Sequence, residues 1–297
     1  MDETLRKYPE LKKYLAEFIK SITSNLSTKS IILFGGIMLD DFSKRYSDID
    51  IIVVLNVGLN EKNLESIDEV ITKLRIIDPE LTRILYVYFI PSFMLDSSKV
   101  KFKGQKGLII GNEKAKPINR YPLSIMDNFS VREKGKILFG EDLKKQFPKP
   151  PENLFWQMFI DSLSFIEEAT KKHPFQHSEK QNDHTTINWL LYFPRLLYSL
   201  IKKDLIGKSD SAFWFQKEYN NSLGEFLIEI GKCRQENAFV YDIKDLVLNS
   251  RKLILFTFEK ILEIKGIDAN LSSLVSIDLN RMNFNPIFRE FKDLIQK

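Results

Sequence analysis

The stretch that most constrains this chain is Ile31 to Leu55, IILFGGIMLDDFSKRYSDIDIIVVL. It opens on an apolar run, Ile31-Ile32-Leu33-Phe34, that reads as a buried strand. Gly35-Gly36 breaks the run, and a polar spacer with a basic pair, Lys44-Arg45, follows. Ser47-Asp48-Ile49-Asp50 then leads into a second apolar run, Ile51 to Leu55. Side chains alternate across a strand, so Asp48 and Asp50 share one face while Ile49 and Ile51 point into a core. Two carboxylates side by side at the mouth of a hydrophobic strand repel each other and are costly to desolvate. A divalent cation removes that cost. Hard oxygen ligands suit Mg²⁺, which commonly takes one or two carboxylates together with phosphate oxygens and water.

An apolar strand, a Gly-Gly break, a spacer and Asp-x-Asp in a second strand resemble the signature of the nucleotidyltransferase superfamily, the polymerase-beta-like fold. Surface Asp pairs are common, so the weight lies in the upstream strand and Gly35-Gly36 at this spacing. The second half extends the resemblance to the aminoglycoside adenylyltransferases of the streptomycin/spectinomycin type. Val131 to Phe147, VREKGKILFGEDLKKQF, is similar to the segment that ends their catalytic domain. Arg195, Tyr198, Lys208, Ala212 and Trp214 resemble a motif of their helical domain. The resemblance covers roughly residues 30 to 265.

The resemblance implies roles for individual residues. Asp48 and Asp50 match the metal-binding pair, Gly35 the turn glycine and Ser47 a nucleotide-contacting serine. Lys208 matches a lysine that reaches the nucleotide phosphates, where transfer accumulates charge. Two positions depart from the family. The residue after the first glycine is usually Ser, with its hydroxyl on phosphate; here it is Gly36, which offers only a backbone N–H. The third carboxylate, on the next strand, falls at Tyr86, or at Tyr88 after a shift of two. A phenol titrates near pH ~10 and is a poor base at neutrality. No Asp or Glu occurs from Leu81 to Leu95, and Glu80 stands only at the strand's entrance. The family's acidic acceptor positions fall near Gln181, Thr185 and Asn188, so aminoglycoside specificity does not carry over.

Bulk properties bound the rest. The 297 residues, 43% of them hydrophobic, suffice for one large or two ordinary domains, each with a core. The formal net charge of +4 suits anionic ligands such as nucleotides but gives no argument for nucleic acid. Cys233 is the only cysteine, which excludes disulfide frameworks and points to a reducing, cytoplasmic compartment. The N-terminus lacks the apolar core of a signal peptide, and no apolar run is long enough to span a membrane.

Helical stripes are expected over Leu5 to Leu26 and Glu61 to Leu74, the latter with Leu64 on its apolar face. A third strand is expected over Leu81 to Ile90, ended by Pro91, and a short one at Leu108 to Ile110. A helix over Leu123 to Lys134 and an apolar run at Ile137 to Gly140 complete the first half. Pro148, Pro150 and Pro151 mark a boundary, after which the pattern is helical: Leu154 to Lys172, Thr186 to Lys203, Ser209 to Tyr219, Leu223 to Cys233, Ile243 to Ile264 and a last helix from Pro286. His173, His177 and His184 fall in a polar loop. Trp156, Trp189 and Trp214 read as packing residues.

The expected fold class is α+β: a nucleotidyltransferase mixed sheet with flanking helices over 1–147 and an all-α helical domain over 148–297. Three functions follow. The first is Mg-dependent transfer of a nucleoside monophosphate from ATP or another NTP to a hydroxyl of a small molecule, with catalysis weakened by the missing third carboxylate. The second is a non-catalytic nucleotide- or partner-binding descendant. The third is transfer to a protein or RNA acceptor, for which the basic segment Lys99 to Lys116 is the only feature.

Overall fold

The computed structural model describes residues 3–95, 107–111, 114–118, 121–159, 162, 182–236 and 243–264. The chain divides into two compact units, Met1–Glu152 and Asn153–Lys297, against an expected break after residue 147.

The first unit is built on a six-stranded mixed sheet. Its strands are β1 (Thr28–Phe34), β2 (Ile49–Leu55), β3 (Leu85–Pro91), β4 (Gly107–Gly111), β5 (Lys114–Ile118) and β6 (Lys136–Gly140), ordered β5-β4-β3-β2-β1-β6. β2 and β3 run parallel and every other pair is antiparallel. Alternation divides the strands between two cores. Ile31, Leu33, Ile49, Ile51, Val53, Val87 and Phe89 lie on one face with helices α2 (Pro9–Asn25) and α3 (Glu61–Ile77), after the short α1 (Glu3–Arg6). Ile32, Phe34, Ile52, Val54 and Ile90 form the other with Leu123, Val131 and Phe147. Fully burying one such side chain stabilises by roughly 1.5–3 kcal/mol before entropy is counted, so slipping β2 by one residue would be prohibitive. That register fixes which face carries Asp50.

The third strand starts later than its composition suggests. Leu81 and Thr82 belong to a short helix, α4 (Pro79–Arg83). Asp78 caps it, accepting from the Glu80 and Leu81 N–H groups at 3.0 and 2.9 Å, and Pro79 is preorganised for the first turn. Local capping thus overrides the β-propensity of LTRIL. Leu64 is 39% exposed, because the buried stripe of α3 begins one turn later at Ile67. β4 grows into a hairpin with β5, whose Lys/Ala/Pro composition hid it. Helix α5 (Ile125–Lys134) starts at a Ser124–Asp127 capping box.

The second unit is helical, with no strand among its described residues. Residues 154–159 form α6, and the expected remainder to Lys172, residue 162 apart, lies outside the described residues. The helix expected over Thr186 to Lys203 is two: α7 (Asn182–Leu190) and α8 (Tyr192–Lys202). Pro194 explains the break, since it has no N–H to give the Leu190 carbonyl and its ring crowds that carbonyl. α9 (Lys208–Tyr219), α10 (Ser222–Gln235) and α11 (Ile243–Glu263) follow. Ala212 and Gly231 let α9 and α10 approach, a Cβ on Gly231 meeting that of Ala212 at 3.5 Å. His173, His177 and the tail expected to hold the last helix lie outside the described residues. The loop expected to end at His184 stops earlier, since α7 begins at Asn182. Among the described residues, no helix is long and apolar enough to cross a membrane.

Candidate active site

Five of the six expected residues, Gly35, Gly36, Ser47, Asp48 and Asp50, lie in the first unit between the end of β1 and the start of β2. β1 ends at Phe34, which pairs with Asp50, and the next residue, Gly35, opens a 3₁₀ turn through Leu39. Gly35 has φ of +78°, which an L side chain rarely adopts. A Cβ there would also stand 2.2 Å from Asp50 Oδ2. The carboxylate therefore occupies the space that a side chain at position 35 would need. Gly35 serves both the turn and the acid. Gly36 has no such constraint: its φ is unexceptional and a Cβ would meet only the Asp41 carbonyl, at 3.4 Å.

Asp48 is exposed and stands just before β2, while Asp50 is half-buried as its second residue. The negative charge of both disfavours ionisation of one group, the Tyr88 phenol, whose pKa is raised. Burial is the main cause of that rise, followed by the charge of Asp127 and then Asp50. The loop between Gly36 and Asp48 is fastened by its own hydrogen bonds. Asp41 N–H donates to the Gly36 carbonyl at 3.1 Å and Ser43 N–H to Ser47 Oγ at 2.9 Å. The Ser47 hydroxyl donates to the Asp41 carbonyl at 3.3 Å. Ser47 is 5% exposed, so its observed work is to hold the loop that delivers Asp48.

Tyr86 is the parallel-strand partner of Asp50, and Tyr88 that of Ile52. The phenol end of the Tyr86 ring lies over Gly111 of β4, where a Cβ would come within 2.2 Å of the ring carbon that bears the hydroxyl. It leans away from β2. Tyr86 and Tyr88 sit 6.3 Å apart, and Tyr88 lies 6.1 Å from Phe34. Glu80 is engaged elsewhere: Lys44 holds it at 2.8 Å, which also raises the lysine's pKa.

Helix α5 adds residues that the sequence reading passed over. Asp127 acts on Tyr88 and Tyr121, and one of its oxygens accepts the Ser124 hydroxyl at 2.7 Å. Ser130, one turn on, accepts the Gly35 N–H at 3.4 Å. Ser-x-x-Asp at the helix start and the i, i+3 spacing of Asp127 and Ser130 were the available signals. Among the described residues, no group of three His, Cys, Asp or Glu is arranged to hold a metal ion.

Lys208 belongs to the second unit, as the first residue of α9. Its ammonium donates to Asn188 Oδ1 at 2.9 Å, and Arg234, 2% exposed, donates to the same oxygen at 3.0 Å. The motif around it is largely packing. Tyr198 and Trp214 meet edge to face at 5.3 Å, Ala212 is fully buried, and Trp189 and Trp156 pack on Phe193 and Phe159.

Residues 13–106 match the family described as nucleotidyltransferase domain. No curated protein matches the chain. Among solved structures, spectinomycin adenyltransferase AAD(9) from Enterococcus faecialis, determined with ATP and spectinomycin, is similar with a TM-score of 0.57. The match covers 83% of this chain and 97% of that one at 16% identity, a likeness of fold. The matched segment spans β1, the glycine turn, the acidic pair at the start of β2 and the whole of β3. The nucleotidyltransferase-domain model thus matches residues 13–106, and the chain resembles spectinomycin adenyltransferase AAD(9) in fold.

Proposed function

We propose that the chain is a Mg-dependent nucleotidyltransferase that moves a nucleoside monophosphate from ATP or another NTP to a hydroxyl of a small molecule, with slow turnover. One observation carries the reading: the Asp50 carboxylate is seated over Gly35, two residues on from Asp48. Two carboxylates at the mouth of a strand, beside a turn without side chains, fit a hard cation and a polyphosphate. Asp48 and Asp50 would hold Mg²⁺, which when bound supplies charge to the phosphoryl oxygens. The Gly35-Gly36 turn lets the phosphates approach the backbone, and the Ser47 loop holds Asp48 against thermal drift.

Turnover is slow in this reading because a phenol, not a carboxylate, stands beside Asp50 on β3. Tyr86 stands at the neighbouring position and its ring leans over Gly111. A general base contributes roughly 10²–10⁴-fold, so its loss leaves slow activity if the donor still binds. The same substitution supports a second reading, a nucleotide-binding descendant without turnover.

ATP with Mg²⁺ should raise the melting temperature by mass action, and neither should do so alone. Asp48→Asn/Asp50→Asn should abolish the shift; a shift that survives the double variant defeats the metal site. Pyrophosphate release with each NTP against a panel of hydroxyl compounds separates the two readings. Wild type should turn over slowly, Asp50→Asn not at all, and Tyr86→Glu at least ~10-fold faster than wild type. A fast wild type slowed by Tyr86→Glu would show that the base lies elsewhere.

A further inference from the structure

Ser130 is the buried group against the glycine turn whose hydrogen-bonding capacity is half used. It is 5% exposed, on α5, and its Oγ accepts the Gly35 N–H at 3.4 Å. Among the described residues, no group accepts the Ser130 proton. Ser47, equally buried, spends its proton on the Asp41 carbonyl. A buried hydroxyl that accepts a bond and does not donate one loses part of the solvation it had in water. Here the hydroxyl lies beside a turn that has no side chains at 35 or 36 and against which the Asp50 carboxylate is seated.

We propose that Ser130 donates to a triphosphate oxygen of the nucleotide, supplying from α5 the hydroxyl contact that Gly36 cannot make. The inference rests on the nucleotide-binding reading and assigns a positioning residue to it. The Gly35 N–H bond orients Oγ with its lone pair toward the turn, which leaves the O–H to point outward. Hydrogen bonds to charged oxygens are the stronger kind, so the contact is worth about tenfold or more in affinity. Its origin on a helix matters: α5 is anchored by the Ser124–Asp127 capping box and by Val131, which is fully buried in the core on this face of the sheet.

The turn itself provides the control. A side chain fits at position 36, since a Cβ there meets only the Asp41 carbonyl at 3.4 Å. Gly36→Ser therefore adds a second hydroxyl at the neighbouring position without displacing Ser130. The test measures the Kd of MgATP and of MgAMP by calorimetry on wild type, Ser130→Ala, Gly36→Ser and the double variant, with the melting temperature of each apo protein. Ser130→Ala should weaken MgATP about tenfold and MgAMP much less. Gly36→Ser should tighten MgATP, and the Ser130→Ala penalty should shrink in its presence, a coupling that a merely structural serine would not show. Ser130→Thr should keep the affinity. Equal loss for ATP and AMP, or an undiminished penalty in the double variant, would assign Ser130 to fold stability alone and overturn the proposal. Unchanged MgATP affinity in Ser130→Ala would overturn it too, and would leave the nucleotide reading standing. Absence of MgATP binding in wild type would overturn both.

Discussion

Two glycines define the site residue by residue, each because a particular side chain needs its space. Gly35 yields to Asp50, and Gly111 yields to Tyr86. The second pair gives a sharp expectation. Gly111→Ala forces its methyl into the Tyr86 ring and should cost about 1–3 kcal/mol, the usual range for overpacking. Tyr86→Ala should relieve most of that cost when combined with it. A denaturant double-mutant cycle measures the coupling; additive losses would mean that the ring does not rest on Gly111. Glu80 provides the opposite case. It is exposed and paired with Lys44, so Glu80→Gln should change stability by less than about 1 kcal/mol and leave nucleotide transfer within a small factor of wild type. A collapse of the transfer rate would return Glu80 to the candidate bases.

Among the elements, what was legible followed strong periodicity. β1, the glycine break and β2 could be read because alternation, Gly-Gly and Asp-x-Asp agree with one another. Tyr86 at the place of the third carboxylate came from the family resemblance, and the parallel register of β2 and β3 pairs it with Asp50. Elements set by local chemistry rather than periodicity were lost. Asp78-Pro79 nucleates α4 within a stretch of strand formers, Pro194 divides one helical stripe into α7 and α8, and β5 has no apolar alternation to betray it. The contribution of α5 was hidden for a different reason. Asp127 and Ser130 reach the site through tertiary packing, and nothing in a single helix says which loop it will cover. Asn188, read as the remnant of an acidic acceptor position, instead accepts from both Lys208 and Arg234.

Over the whole molecule, the buried phenols set the response to alkali. Burial pushes Tyr14 and Tyr219 up to about 12, and Tyr88 and Tyr121 higher, with neighbouring acids adding to the rise in all four. In the unfolded chain all four ionise near pH ~10. Their contribution is therefore complete below pH ~10 and lost progressively as pH rises through the folded values, because the unfolded state releases protons first. Chemical denaturation across pH 8 to 12 should show a steep fall in stability above pH ~10. Tyr14→Phe should flatten part of it, at the cost of the 3.0 Å hydrogen bond between Tyr14 and Thr82 in the first unit. A flat profile would contradict the burial of these rings.

The lean of Tyr86 over β4 has one more consequence. The place beside Asp50 is set by the β2–β3 backbone pairing, whichever side chain position 86 carries. In Tyr86→Ala a small acid from the buffer can enter that place and act as a diffusible base. Formate or acetate should then accelerate nucleotide transfer with saturation, in proportion to their ionised fraction, while wild type with its ring in place should not respond. Chloride at equal ionic strength is the control, and an equal response to all three anions would reduce the effect to salt. Enzyme and solvent would in that case share the catalytic machinery, and the choice of buffer would become part of the reaction.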